Sequence, residues 1–105
     1  MIDAEVFDLA TLAAARAEVG RSYLEFLRVP ALNVGIYELP AGAEDLQRPH
    51  DEDEIYYVER GRARFSAGDE IRDIGPGSVI YVRRGLEHSF VDVASDLRLL
   101  VIFAS

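Results

Sequence analysis

The chain has 105 residues, 50% of them hydrophobic, and a formal net charge of −8, so one small globular domain is expected. The negative charge excludes general nucleic-acid binding, which requires a cationic surface, and the absence of a long apolar run excludes a membrane-spanning helix. All 11 basic residues are arginine and there is no cysteine, which excludes Schiff-base chemistry on lysine, disulfides and thiolate metal sites.

The N-terminal segment predicts a short helix. Residues 7–17 are rich in alanine and leucine, Asp8 is suited to cap the first turn, and Gly20 is suited to end the helix. Because so short a helix persists only when it docks on other structure, its simplest role is to cover the edge of a barrel. The first residues are acidic and lack the basic start of a secretory signal, so a cytoplasmic location is expected.

From Tyr23 onward the sequence pattern changes to short strands separated by turns. Gly68-Asp69 predicts a hairpin tip, and Gly75-Pro76-Gly77 predicts a tight turn. The candidate strands cover residues 23–27, 31–39, 55–58, 62–67, 78–82, 88–93 and 97–103. Many short strands with regular turns indicate an all-β sandwich or barrel.

Each of the two histidines of the chain lies in a segment that glycines frame. The residues that define the two frames are Gly42, His50, Glu54 and Gly61, and then Gly77, Gly85 and His88. In order and with the right gap, they resemble the paired motifs of the cupin superfamily, over residues 32–103. The string Gln47-Arg-Pro-His-Asp-Glu-Asp-Glu54 also resembles the variant Gln-x-Pro-His-x-x-Asp-Glu first motif of small single-domain bacterial cupins.

This resemblance implies a fold, an assembly and a class of partner. The fold would be the double-stranded β-helix of cupins, a jelly-roll barrel, with a short N-terminal helix. We therefore expect one all-β cupin domain over residues 1–105, with a helical arm over 1–22 and the β-barrel over 23–105. Small cupins are commonly dimers that pair or exchange edge strands, so the resemblance implies a homodimer. The barrel would bind a small-molecule substrate or ligand.

Three positions depart from the cupin motifs. Arg48 occupies the slot of the first histidine, Arg83 replaces a proline, and Asp92 replaces an asparagine. A guanidinium has no lone pair to donate to a metal, so Gln47 is the candidate for a replacement oxygen ligand. If Arg48 points into the barrel, an ion pair with Glu54 would replace the metal. If Arg48 points to solvent, the site loses only one ligand.

The remaining candidate ligands converge if both segments are extended. Side chains at i and i+4 of a strand share a face, so His50, Glu54 and Tyr56 would look inward together. Pairing of the two segments would then bring His50, Glu54 and His88 into contact. Two imidazoles and one carboxylate leave open positions on a divalent metal and suit Fe, Mn, Ni or Zn. Taken singly, His50 is typical of a surface residue and His88 of a strand residue bonded to a neighbour, so only the joint pattern favours a metal site.

Aromatic residues on the strands are expected mainly in the core. This expectation covers Tyr57, Phe65, Tyr81 and Phe90. Tyr56 is the exception, because it follows Glu54 by two residues and should face the same cavity. Its hydroxyl is the candidate catalytic acid or hydrogen-bonding group.

The sequence leaves three functions open. The first is a metal-dependent enzyme of the oxygenase or isomerase type that acts on a small organic substrate. The second is a non-catalytic cupin that binds or senses a small molecule and has a degenerate or absent metal site, which the loss of the first histidine favours. The third and weakest is a structural subunit that works only with a partner chain.

Overall fold

The computed structural model describes residues 3–104 and contains one helix followed by eight strands within that range. The elements are α1 (Leu9–Val19), β1 (Tyr23–Val29), β2 (Leu32–Leu39), β3 (Glu54–Arg60), β4 (Ala63–Ala67), β5 (Glu70–Ile74), β6 (Val79–Val82), β7 (His88–Val91) and β8 (Leu97–Ala104). The part of the chain that the structure describes has no helix with the length and hydropathy that a bilayer crossing requires.

The strands form two antiparallel sheets. One sheet has five strands in the order β1-β2-β8-β3-β6, and the other has three in the order β5-β4-β7. The two sheets pack face to face as a double-stranded β-helix. The α-helix α1 precedes them in the chain. The predicted fold class, an all-β jelly-roll barrel with a short N-terminal helix, is confirmed.

The core lies between the sheets because the strands alternate inward and outward side chains. On β3, Glu54, Tyr56 and Val58 are buried, whereas the residues between them face outward. The other large, fully buried apolar side chains of this core are Val82, Phe90, Leu97 and Leu99. The alternation therefore places the Glu54 carboxylate on the same inward face of β3 as the buried side chains of Tyr56 and Val58.

The predicted caps of α1 are confirmed. The Asp8 carboxylate accepts a hydrogen bond of 3.0 Å from the Thr11 amide, and Gly20 ends the helix in the left-handed conformation with φ 77°. A non-glycine residue at that φ would be strained, because its Cβ approaches the following carbonyl oxygen. The helix contacts β1 and β2, so it covers one end of the larger sheet, as predicted.

Charged side chains attach the helix to that sheet. Ala13 of the helix is buried, and Leu9 and Leu12 are half-buried. In addition, Arg16 Nε lies 3.0 Å from Glu38 Oε2, and Arg98 Nε lies 3.5 Å from the same oxygen. Arg98 also approaches Glu59 at 3.5 Å. These four side chains form an ion-pair network between α1 and the outer face of the larger sheet.

The prediction that Tyr57 and Tyr81 pack in the core is wrong. Tyr57 is 39% exposed and Tyr81 is 64% exposed, on the outer face of β3 and β6. The physical reason is that both residues lie at the outward positions of their strands, and that helix α1 covers only the β1–β2 end of the sheet. Phe65 and Phe90, by contrast, are buried between the sheets as predicted.

Candidate metal centre

Three of the four predicted metal ligands converge inside the barrel. One potential ligand atom from each of His50, Glu54 and His88 lies within 4.8 Å of the other two. Glu54 is the first residue of β3, His88 is the first residue of β7, and His50 lies in the long loop between β2 and β3. The three side chains therefore reach one point from three separate parts of the fold.

The route by which they converge differs from the prediction. The two histidine segments do pair, because β3 of the first lies beside β6 of the second. The expectation that this pairing brings the strand of His88 beside Glu54 is wrong, since β7 pairs with β4 in the other sheet. β3 and β7 face each other across the barrel interior instead. The loop that carries His50 is fixed from the opposite side, since the His50 carbonyl accepts a hydrogen bond of 2.7 Å from the Gly85 amide.

The ring of His88 is held with Nε2 facing the site. Its Nδ1 lies 2.8 Å from the Leu86 carbonyl oxygen, which can only accept, so Nδ1 carries a proton. Nε2 then lies 2.8 Å from Glu54 Oε1 and 3.0 Å from the Tyr56 hydroxyl oxygen. The side chains of His88 and Glu54 are each only 1% exposed. A backbone partner of this kind orients a histidine for metal binding in many metalloproteins.

The contact between His88 and Glu54 requires a positive charge. The Tyr56 hydroxyl donates its proton to Gln47 Oε1 at 2.8 Å, so it does not donate to Nε2. Neither oxygen of Glu54 receives a well-directed hydrogen bond from the described residues. A neutral Nε2 and a carboxylate are both acceptors, so they approach this closely only when they share a proton or bind the same metal cation. Burial alone would lower the pKa of His88, but the Glu54 carboxylate and the Leu86 carbonyl together raise it above its ordinary value.

Gln47 lies beside the three convergent residues with its amide orientation fixed. Its Nε2 donates to Asp45 Oδ2 at 2.6 Å, and its Oε1 lies 2.8 Å from the Tyr56 hydroxyl and 3.5 Å from His50 Nε2. The oxygen of Gln47 therefore faces the site, as it would have to do in order to act as a replacement ligand. Its role as a ligand stays a prediction.

Asp45 is a site residue that the sequence analysis missed. It is 8% exposed, and its carboxylate accepts hydrogen bonds from the Tyr37 hydroxyl at 2.6 Å and the Phe90 amide at 2.8 Å, in addition to the Gln47 amide. It thereby joins the loop to β2 and to β7. In the sequence it follows another acidic residue after Gly42-Ala43, and this pattern is typical of a solvated loop.

Arg48 points away from the site. Its side chain is exposed, and within residues 3–104 no ion pair joins it to Glu54. Of the two orientations that the sequence left open, the structure therefore has the outward one. The guanidinium does not replace a cation beside Glu54.

A cavity of about 520 Å³ opens next to these residues. His50, Gln47 and Tyr56 line its inner end, and Tyr23 of β1 lines its wall. The ring of Tyr23 lies over Gly35, where a Cβ atom would overlap it. The cavity has the size of an ordinary small-molecule site and is open to solvent at one end.

Comparisons with known proteins agree on one family. The sequence profile described as "Cupin domain" matches residues 35–103. A protein of Streptomyces coelicolor, described as uncharacterized protein SCO3923, is 44% identical over 100 residues, which are 95% of each chain.

Two solved structures are also similar to this chain. The structure of TT1209 from Thermus thermophilus superposes with a TM-score of 0.73 at 25% identity, over 96% of this chain and 97% of that one. The structure of the DMSP lyase DddQ from Ruegeria pomeroyi superposes with a TM-score of 0.68 at 26% identity, over 73% of this chain and only 40% of the lyase. The likeness to the lyase is therefore confined to one part of that enzyme.

Proposed function

The chain belongs to the cupin family, and from that premise we propose that it is a metal-dependent enzyme acting on a small organic molecule inside its barrel. In this proposal His50, Glu54 and His88 bind one divalent metal ion, and Gln47 supplies a weak fourth oxygen. The observation that carries the proposal is the pair of buried acceptors, Nε2 of His88 and Oε1 of Glu54, at 2.8 Å. The similarity to part of a lyase supports an enzymatic role.

The ligand atoms present fit such an ion. An iron, manganese, nickel or zinc ion held by two imidazoles and a carboxylate keeps open positions and supplies Lewis-acid or redox chemistry. His88 offers a lone pair on Nε2 because its Nδ1 proton is held by the Leu86 carbonyl. Glu54 offers two oxygens that lack well-directed donors among the described residues. The site is buried, so the same groups would also shield a reacting substrate from water.

Tyr56 is the proposed catalytic group of the chain itself. Burial, together with the nearby Glu54 carboxylate, raises the pKa of Tyr56 far above its ordinary value. Its hydroxyl therefore stays protonated at neutral pH. It lies between Gln47 Oε1 and His88 Nε2, at the inner end of the cavity. There it can donate a hydrogen bond or a proton to a substrate oxygen, once a substrate displaces the contact with Gln47.

Metal analysis of tag-free protein tests the proposal. After exposure to a mixture of the four metals and dialysis, the parent should retain about one equivalent per chain, whereas His88→Ala and Glu54→Gln should retain less than about a tenth. Arg48→Ala is the matched control, because that side chain is exposed and should leave the metal content unchanged. Tyr56→Phe should keep the metal and lose most turnover of any substrate found. A parent with less than about a tenth of an equivalent would refute the proposal.

A non-catalytic role is the second candidate, and one observation favours it. Tyr56 donates a hydrogen bond to Gln47, and Gln47 donates one to Asp45. One proton shared by His88 and Glu54 then satisfies the remaining pair of acceptors without a metal. In this alternative the cavity binds or senses a small molecule without a metal. A compound that raises the melting temperature strongly, with no turnover and no metal present, would support it.

The arrangement of the chain in the cell and in solution is also proposed. We propose one domain with an arm over residues 1–22 and a barrel over 23–105, a cytoplasmic location and a homodimer. The uncovered apolar side chains on the outer face of β3 and β6 support a self-association surface. These side chains are Ile55, Tyr57, Val79 and Tyr81. Sedimentation of the parent and of Tyr81→Glu would test the dimer.

A further inference from the structure

The cavity beside the candidate metal centre has aromatic walls. Tyr23 and Tyr37 pack edge to face with ring centroids 6.3 Å apart, and His50 and Phe103 pack likewise at 4.9 Å. All four rings line the cavity. Aromatic faces carry negative potential, so a cavity walled by them favours cations over anions.

The charged side chains at the cavity are mainly acidic. Glu25, Glu44 and Glu52 line it, and Arg28 is the one guanidinium among the described lining residues. Arg28 is already bound to Glu25 through two hydrogen bonds of 3.2 and 2.6 Å. That bidentate pair neutralises both partners, and within residues 3–104 no ion pair joins a cation to Glu44 or Glu52. The Glu52 carboxylate has only a long hydrogen bond of 3.4 Å, from the buried amide of Asn33.

The hydroxyl of Tyr23 is a third feature of the same cavity. It is buried and has no hydrogen-bond partner within residues 3–104. Burial raises the pKa of Tyr23 to about 12, with the charge of Glu25 adding to the rise, Arg28 partly opposing it, and Glu54 and Glu52 contributing further. The charges of Glu25, Glu54 and Glu52 therefore all disfavour ionisation of the Tyr23 hydroxyl.

We propose that this cavity selects a small molecule that carries a positive charge, such as an alkylated or primary ammonium compound. This inference deepens the proposed function, since it names the substrate class of the same site. Of the proposed metal ligands, only His50, through its ring, and Glu54, through its charge, contribute to it. The groups that the test varies lie in the cavity wall and mouth. A cation would lie against the rings of Tyr23 and Phe103, near the carboxylates of Glu44 and Glu52. An anion of the same shape would be repelled by these carboxylates.

Three compounds of nearly the same shape test the charge preference. Choline is the cation, 3,3-dimethylbutan-1-ol is its neutral isostere, and 3,3-dimethylbutanoate is the anion. Binding to the full-length protein is measured by calorimetry at low ionic strength. The protein is metal-free, so that the anion cannot gain affinity by binding to a metal ion. We expect choline to bind at least about ten-fold more tightly than the alcohol, and the butanoate to bind more weakly than both.

Variants of the mouth identify the groups responsible. Glu52→Gln and Glu44→Gln should each weaken choline binding several-fold and leave binding of the alcohol unchanged. Glu18→Gln is the matched control, since that carboxylate is exposed on α1 and lies outside the cavity. Equal binding of choline and the alcohol, tighter binding of the butanoate, or no binding of any of the three would overturn the inference. Because these measurements need no metal, their failure is separate from a failure to bind metal.

Discussion

His88 and Glu54 belong to opposite sheets, yet Nε2 of the one lies 2.8 Å from Oε1 of the other. Two buried acceptors come this close when they share a proton or when both bind the same metal ion. The metal-free protein should therefore contain an imidazolium–carboxylate pair, and a metal would have to displace its proton. The two sheets are joined at this point in either case.

The first prediction concerns the pH dependence of the metal-free protein. The folded-state pKa of His88 is raised above its unfolded value of about 6.5. Its contribution to the free energy of unfolding is thus fully present below about pH 6.5 and is lost as the pH rises through the folded-state pKa. Urea unfolding between pH 6 and 9 should show falling stability for the parent and a flatter profile for His88→Gln.

Metal binding should show the opposite trend with pH, because the ion competes with the proton on His88. Affinity measured with a chelator competitor should rise over the same range. Parallel stability profiles for the parent and His88→Gln would contradict the assignment of the proton to this pair.

The second prediction concerns Asp45. Asp45→Ala leaves the Tyr37 hydroxyl, the Gln47 amide and the Phe90 amide without their acceptor, so it should reduce the free energy of unfolding by about 3 kcal/mol. Because Gln47 would lose its orientation, metal affinity should fall by about 10- to 100-fold.

Tyr37→Phe is the matched control for Asp45. It removes one of the same hydrogen bonds and should cost only about 1 kcal/mol, with little change in metal affinity. If both variants bind metal as the parent does, Asp45 supports the fold but does not position the site.

Asp45 and Tyr56 show what the sequence could and could not predict. Tyr56 follows Glu54 at the period of a strand, so its inward direction was predictable from β3 alone. Asp45 lies in a loop, where no period applies, and its burial depends on partners that are distant in the chain. The shared location of Glu54 and His88 was predictable from the motifs, but not their separation into two sheets, since strand pairing is set by the whole topology.

The third prediction concerns Gly35, whose missing side chain leaves space for Tyr23. In Gly35→Ala the new Cβ would overlap the Tyr23 ring, and the forced shift should cost about 1 to 3 kcal/mol. In the background Tyr23→Ala the same change should be neutral or stabilising, because alanine is favoured over glycine inside a strand by roughly 0.5 to 1 kcal/mol. Urea unfolding of the four proteins in this cycle gives the coupling directly. Equal costs in both backgrounds would show that Tyr23 is not the obstacle.

The fourth prediction concerns the ion-pair network under helix α1. Glu38→Gln leaves Arg16 and Arg98 without their shared carboxylate, so the helix should detach more often. Hydrogen exchange of the α1 amides should quicken by about ten-fold, which corresponds to roughly 1.4 kcal/mol, while exchange in β3 and β8 stays unchanged. Glu18→Gln, on the exposed face of the same helix, should leave all rates unaltered. Uniformly faster exchange across the barrel would instead indicate that the helix and the sheets unfold together.

The attachment of α1 bears on how this sequence can diverge. Four charged side chains, the buried Ala13 and the half-buried Leu9 and Leu12 hold the helix, whereas the barrel builds its interior from its own strands. Substitutions in the leading segment can therefore accumulate, or the segment can be exchanged for another, without altering the geometry around Glu54 and His88. Descendants of this chain could acquire a new surface at their N-terminus while keeping the chemistry of the interior.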